Sequence, residues 1–285
     1  MSDSPDTPRG TAPEADLDAA ANPADLAALR RRVCALERGD GPQAQAVLPL
    51  RAPALDAALP GGGLARAAVH ELLPERTEWD DGPVAGFALA ILGRLQAAAP
   101  REDEREGAGE VLWIAKRGDL YAPGIAAFGV DPDRLLTARA GDDAGVLWAM
   151  EEGLRCPALA AVVGEVGQLD RTAARRLQLA AEAGGVTGLT LLRRRVAPRG
   201  RRDPSAAATR WQVGALPSRT IADGADGPAT AAAPGRARWR LELLRCRGGL
   251  PAAFEVEWDD ATGDFALAAA LRDGTAQAAP LQRAG

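Results

Sequence analysis

The sequence predicts an α/β fold: a parallel central sheet flanked by helices, with antiparallel strands at the C-terminal side. Three observations carry this. Apolar runs such as "EVLWIA" and "ALAAVVGEV" lack polar alternation and are separated by helical stretches, which is the pattern of strands buried on both faces. Past Arg193 the pattern changes to period two, as expected of antiparallel strands joined by polar turns. The chain has 285 residues, 47% of them hydrophobic and 26% charged, enough to bury a sizeable core.

Residues 1–21 are acidic and rich in Pro and Ala and read as disordered. A helix is expected over 22–38, with Asn22 as cap and Pro23 in the first turn. Its residues Leu26, Leu29, Val33 and Leu36 form one apolar stripe, which must pack on the chain's own core or on a partner. The core domain is placed at 45–270. Within it "AAVHELL" is a candidate strand, and "VAGFALAILGRLQAAA" a helix beginning after Gly82-Pro83. "PREDEREGAG" is a charged surface loop, "EVLWIA" a strand, "PGIAAFGV" a short helix and "DRLLTARA" another strand. Asp142 and Asp143 cap the helix "AGVLWAMEEGLR", and "ALAAVVGEV" is the next strand. Asp170 caps "RTAARRLQLAAEA", Gly184-Gly185 ends it, and "VTGLTLLR" follows as a strand. "ATRWQVGAL", "ARWRLELLRCRG" and "AAFEVEWDDATGDFALAAA" read as antiparallel strands, and 271–285 as a flexible tail.

The formal net charge of −5 argues against a protein coated in nucleic acid, although local charge can still matter. Cys34, Cys156 and Cys246 form no C-x-x-C pair and read as buried free thiols, so neither a disulfide framework nor a zinc site is expected. The first residues show neither a basic start nor an apolar core, and no apolar run reaches the ~18 residues that span a bilayer. No membrane partner is expected, and a cytoplasmic location is.

The blocks "LDAALPGGGLARAAVHELL", "VLWIAKRGDLYAPGIAAFGVDPDRLL", "LWAMEEGLRCPALAAVVGE", "LDRTAARRLQLAAEAGGVTGLTLLR" and "RWRLELLRCRGGLPAAFEVEWD" cover roughly residues 47–269. Their order resembles the RecA-like core of recombinases, and more closely the ImuA family of bacterial damage-inducible (SOS) mutagenesis cassettes. The resemblance implies a RecA-like fold and an accessory role in error-prone translesion DNA synthesis. The implied partners are ImuB, an inactive relative of Y-family polymerases, and the error-prone polymerase complex. Contacts with RecA or single-stranded DNA are left open. Two alternatives belong to other classes: an active RecA-like DNA-dependent ATPase, or a RecA-like cell-division inhibitor.

Three places in such a fold would carry ATPase chemistry, and all three depart from it. A phosphate loop surrounds phosphates with backbone N–H groups, adds a Lys, and holds magnesium with a Ser/Thr hydroxyl. The corresponding "PERTEWDDG" has no Lys, and its one hydroxyl, Thr77, precedes no helix start. Glu75, Glu78, Asp80 and Asp81 against Arg76 leave a charge near −3, which would repel a polyphosphate; an acidic solvated loop is the expectation. Beyond "VLWIA", where RecA-like ATPases place a glutamate that polarises water, stand Lys116 and Arg117, with Asp119 the nearest carboxylate. Two cations cannot serve as a general base; they are expected in a surface ion pair, with an anion or the acidic loop as other partners. The third strand closes on Gly164-Glu165 where a magnesium-organising Asp is usual, and Glu165 could substitute. A degenerate ATPase with no catalytic residue, cofactor or metal follows, with nucleotide binding not excluded.

The sharpest positive feature is "RRRVAPRGRRDPS", with Arg193, Arg194, Arg195, Arg199, Arg201 and Arg202 against Asp203 alone. In the resemblance it falls where RecA places a mobile DNA-binding loop. Guanidinium groups on phosphates release counterions, so DNA or partner binding is one reading and a solvated loop the other. His70, the one histidine, is expected to be hydrogen-bonded within the fold, and nothing supports metal or nucleophilic catalysis.

Overall fold

The computed structural model describes residues 46–77, 79–98, 109–193, 205–218 and 235–271. In chain order these form β1 (Val47–Leu48), α1 (Pro53–Ala58), β2 (Leu64–Ala65), β3 (Val69–Pro74), α2 (Asp81–Ala97), β4 (Glu110–Ala115), α3 (Ala122–Ala126) and β5 (Leu135–Arg139). Then come α4 (Asp143–Leu154), β6 (Leu159–Val166), α5 (Arg171–Gly184), β7 (Thr187–Leu192), β8 (Thr209–Leu216), β9 (Arg238–Cys246), β10 (Ala252–Asp259) and β11 (Asp264–Leu271). The expected helix at 22–38, the 1–21 segment and the residues after 271 lie outside the described residues.

One nine-stranded sheet runs in the order β11-β10-β9-β8-β3-β7-β6-β4-β5. From β8 to β5 every neighbouring pair is parallel, and β8–β9, β9–β10 and β10–β11 are antiparallel. The reading of "ATRWQVGAL" as simply antiparallel is therefore corrected. β8 is the strand at which the sheet changes direction, parallel to β3 on one side and antiparallel to β9 on the other. Its period-two pattern registers which side chains face the core, and that pattern is the same whichever way its neighbours run.

The sheet is covered on both faces. Leu72, Val111, Trp113, Val163, Leu189 and Leu191 point to the α2 side, while Ile114, Val162, Val166 and Leu192 point to α4 and α5. This explains the unbroken apolar runs. Helix α2 is buried almost all round, because β9–β11 bring Trp239, Trp258 and Phe265 into the same core as Phe87. Phe87 stands edge-on to Trp211 at 5.7 Å, and Trp258 edge-on to Phe265 at 5.1 Å, the arrangement that aromatic quadrupoles favour.

Helix ends follow their local chemistry. Asp142 accepts from the Gly145 N–H at 2.8 Å and Asp170 from the Ala173 N–H at 2.8 Å, each capping its helix. Gly185 ends α5 in the left-handed region at φ 71°, where a side chain would be strained. Helix α2 starts at Asp81, ahead of the expected boundary, since Pro83 is tolerated within a first turn whose N–H groups lack helical partners. Strand β3 ends at Pro74 and starts only at Val69, because Ala67 adopts a φ of 52° that no strand contains. The sequence pattern missed β1, β2 and α1, which are two to six residues long and show no period.

His70 sits in a chain of hydrogen bonds fixed by register. β3 and β8 place His70 beside Thr209, and Nδ1 lies 2.7 Å from its hydroxyl. Nε2 lies 2.8 Å from the Ala65 carbonyl, which can only accept, so Nε2 carries the proton and Nδ1 accepts from Thr209. The Trp211 indole N–H in turn donates to Thr209 at 2.9 Å. The expectation of a hydrogen-bonded histidine within the fold agrees with this geometry. Cys246 is buried, but Cys156 is exposed in the turn after α4, which corrects the reading of it as a buried thiol.

Candidate functional site: the carboxyl end of the parallel strands

In an open α/β sheet, ligands bind beyond the carboxyl ends of the strands. Here that rim is built from the turn after β3, the head of α2, the residue after β4, the end of β6 and the residue after β7. The order β3-β7-β6-β4 sets their neighbours.

The turn after β3 carries the acidic residues, and the described ones are paired rather than solvated, which corrects the expectation of an acidic solvated loop. Asp80 is fully buried at the head of α2. Its carboxylate accepts from the Arg76 backbone N–H at 2.7 Å and from Arg76 Nε and Nη2 at 3.1 and 3.0 Å. A fourth donor is the Ala215 N–H on β8, at 3.0 Å. Burial by itself would raise this carboxyl, but the Arg76 hydrogen bonds and the two backbone N–H groups outweigh it and hold it below the usual carboxylate range. Arg76 is correspondingly held more firmly cationic, first by its hydrogen bonds to Asp80. Glu75 reaches Arg240 of β9 at 3.3 Å. Thr77 is half-buried and Glu78 lies outside the described residues. Trp79, which no sequence motif marks, is 83% exposed beside the head of α2.

Arg193, grouped by sequence with the arginine cluster, meets two carboxylates at this rim. It directly follows β7, between β3 and β6, and its guanidinium lies 3.2 Å from Asp81 and 2.6 Å from Glu165. Burial would lower the Arg193 guanidinium, yet Glu165 and then Asp81 raise it overall, so it stays charged. Glu165 also accepts from the Trp113 indole N–H at 2.9 Å. Strand order brings the residues after β3 and β7 and the end of β6 to one rim, and the sequence alone does not show that order. Arg194, Arg195, Arg199, Arg201 and Arg202 lie outside the described residues.

Lys116 forms the expected surface ion pair, with Asp143 at 2.5 Å rather than with the acidic turn. Asp143 also accepts from Gly167 and Gln168 N–H at 2.9 and 3.1 Å, fastening the turn after β6 to the head of α4. Burial would raise the Asp143 carboxyl; Lys116 and then these two N–H groups hold it low. Arg117 and Asp119 are exposed. The rim thus joins the turn after β3 to β8 by a hydrogen bond, and joins that turn to β9, β7 to α2 and β6, and β4 to α4 by charged pairs.

No protein-family model matches the chain. Protein ImuA of Caulobacter vibrioides, strain NA1000 / CB15N, is 35% identical over 246 residues, covering 83% of this chain and 95% of that protein. The same protein from strain ATCC 19089 / CIP 103742 / CB 15 matches equally. The chain belongs to the ImuA family. Among solved structures, the RadB recombinase aligns with a TM-score of 0.50 at 13% identity, covering 75% of this chain and 96% of that one. The fold of this ImuA-family chain is therefore RecA-like, with the mostly parallel sheet and antiparallel C-terminal strands described above. No helix among its described residues is long and apolar enough to cross a membrane.

Proposed function

We propose that this ImuA-family chain is a non-catalytic RecA-like accessory protein of damage-induced, error-prone translesion DNA synthesis. It binds ImuB and helps assemble the mutagenic polymerase complex, by way of the apolar stripe Leu26, Leu29, Val33 and Leu36 and the cluster from Arg194 to Arg202. The observation that carries the non-catalytic part is Asp80. At the head of α2, where a RecA-like ATPase would seat phosphate, the chain's own buried carboxylate takes four N–H donors. The rest of the rim agrees. No lysine stands before α2, and Arg193 lies against Glu165, so a cation of the chain neutralises the carboxylate available to magnesium. An ATP–magnesium pair does not fit these residues. Family membership supports the cellular role, since the match spans 95% of the Caulobacter protein.

The test is co-purification of this chain with ImuB, followed by a phosphate-release assay on the complex with and without single-stranded DNA. A stable complex without turnover is the expected result. Turnover that disappears on substitution of Glu165 would make the protein an active ATPase instead.

A further inference from the structure

A cavity of about 390 Å³ lies at the far end of α2 from the strand rim, lined by α2, the β1 segment, the turn after α3 and the β10–β11 turn. Arg94 is thirteen residues beyond Asp81, so at 1.5 Å per residue the cavity stands ~20 Å along the helix from the acidic turn. It is a separate site, and its reading is independent of the function proposed above.

Its lining combines an apolar floor with unbalanced positive charge. Leu48, Pro49, Phe128 and Trp258 supply apolar and aromatic surface. Arg94 is 8% exposed, and its Nη2 donates to the Gly263 carbonyl at 2.8 Å and to Asp264 at 2.9 Å. Its Nε is buried and meets no acceptor among the described residues. That Nε is sealed from the cavity as well, so what Arg94 brings to the lining is the charge of its guanidinium. Arg51 stands at the same cavity, only 3.7 Å from Asp264, with its side chain 69% exposed. Its backbone has φ 56°, a conformation that non-glycine residues rarely hold and that collects at binding sites. Two guanidiniums thus stand at this cavity beside one shared carboxylate. The volume falls in the range of small-ligand pockets, where apolar walls bury the ligand body and a few polar groups orient it.

We propose that this cavity binds a singly charged carboxylate carrying an aromatic or aliphatic body, with the carboxylate meeting Arg51 and Arg94 and the body lying on Phe128 and Trp258. A small free acid and an acidic residue next to an apolar one in a partner peptide share this chemistry. The apolar floor selects against a bare inorganic anion.

The experiment is a titration of the full-length protein, read by the Arg94 Nε–Hε signal in 15N NMR. The probes are 3-phenylpropionate, the peptide acetyl-Glu-Phe-amide and uncharged 3-phenylpropanol. Charge-assisted hydrogen bonds are worth about 1.5–3 kcal/mol, so the alcohol should bind at least about tenfold more weakly than the acid. Arg51→Ala should weaken 3-phenylpropionate about tenfold, and Ala97→Trp at the exposed rim should block it, with both variants retaining the wild-type melting temperature. Tighter binding of the peptide would assign the site to a protein anchor; tighter binding of the acid would assign it to a free metabolite. Equal binding of acid and alcohol, or no shift with either anion at millimolar concentration, would overturn the proposal.

Discussion

At Asp80 one carboxylate is asked to satisfy a guanidinium and two backbone N–H groups from different elements. Asp80→Ala leaves the Ala215 N–H without its acceptor in a buried place, while Arg76, being exposed, recovers water. A loss of about 1–3 kcal/mol in chemical denaturation is expected. Because the folded carboxyl sits below its unfolded value, this contribution is present above about pH 4 and fades as pH falls beneath it. His70 acts in the same direction over a higher range. Burial, partly offset by the Ala65 hydrogen bond, lowers its pKa from 6.5 to about 4. The unfolded chain therefore binds a proton that the folded chain refuses, and stability falls as pH drops from 6.5 toward 4. At 1.36 kcal/mol per unit this amounts to about 3 kcal/mol. His70→Gln should flatten the stability–pH curve across that window; an unchanged slope would mean that the ring is protonated in the fold.

At the scale of elements, the packing of α5 on the turn after α4 depends on one small residue. A Cβ at Gly184 would stand 2.0 Å from the Leu154 carbonyl oxygen, a backbone atom that cannot swing aside. Gly184→Ala should cost about 3 kcal/mol or more, as overpacking against fixed atoms does, measured as a drop in melting temperature. Gly185 beside it has open space but φ 71°, so its variant should suffer strain and no clash. Elements of this kind were legible in the sequence when two independent signals agreed. "EVLWIA" matches β4 residue for residue, and Asp142, Asp170 and Gly185 mark helix ends by capping chemistry that needs no tertiary contact. The direction of β8 was not legible, since alternation reports faces and not neighbours. Nor were the ion pairs of the strand rim. "PERTEWDDG" reads as four acids and one base, and only the fold shows Arg240 and Arg193 arriving from β9 and β7 to meet Glu75 and Asp81. Sequence adjacency put Arg193 with its neighbours in the cluster; strand order put it with Glu165.

Over the whole molecule, a RecA-like frame persists while its rim is closed by charges of its own. If the proposed cluster from Arg194 to Arg202 meets a nucleic acid, the contact is with backbone phosphates. Replacing Arg194, Arg195, Arg199, Arg201 and Arg202 with Ala should weaken single-strand binding alike for every sequence. At ~0.7 counterions per phosphate, removing these five guanidiniums should flatten the log–log salt slope by roughly 3 to 4 units. An unchanged slope would return the cluster to a solvated loop, and loss of a protein partner at low salt would assign the arginines to an acidic protein surface. Whether the strand rim still serves a nucleotide is decided by the melting temperature of the purified protein in saturating ATP and magnesium. A ligand at 100-fold over its dissociation constant would stabilise a binder by ~2.7 kcal/mol, a shift of several degrees. A rim closed by Asp80 and Arg193 gives no shift; a rise of that size, abolished by Glu165→Gln, would contradict it.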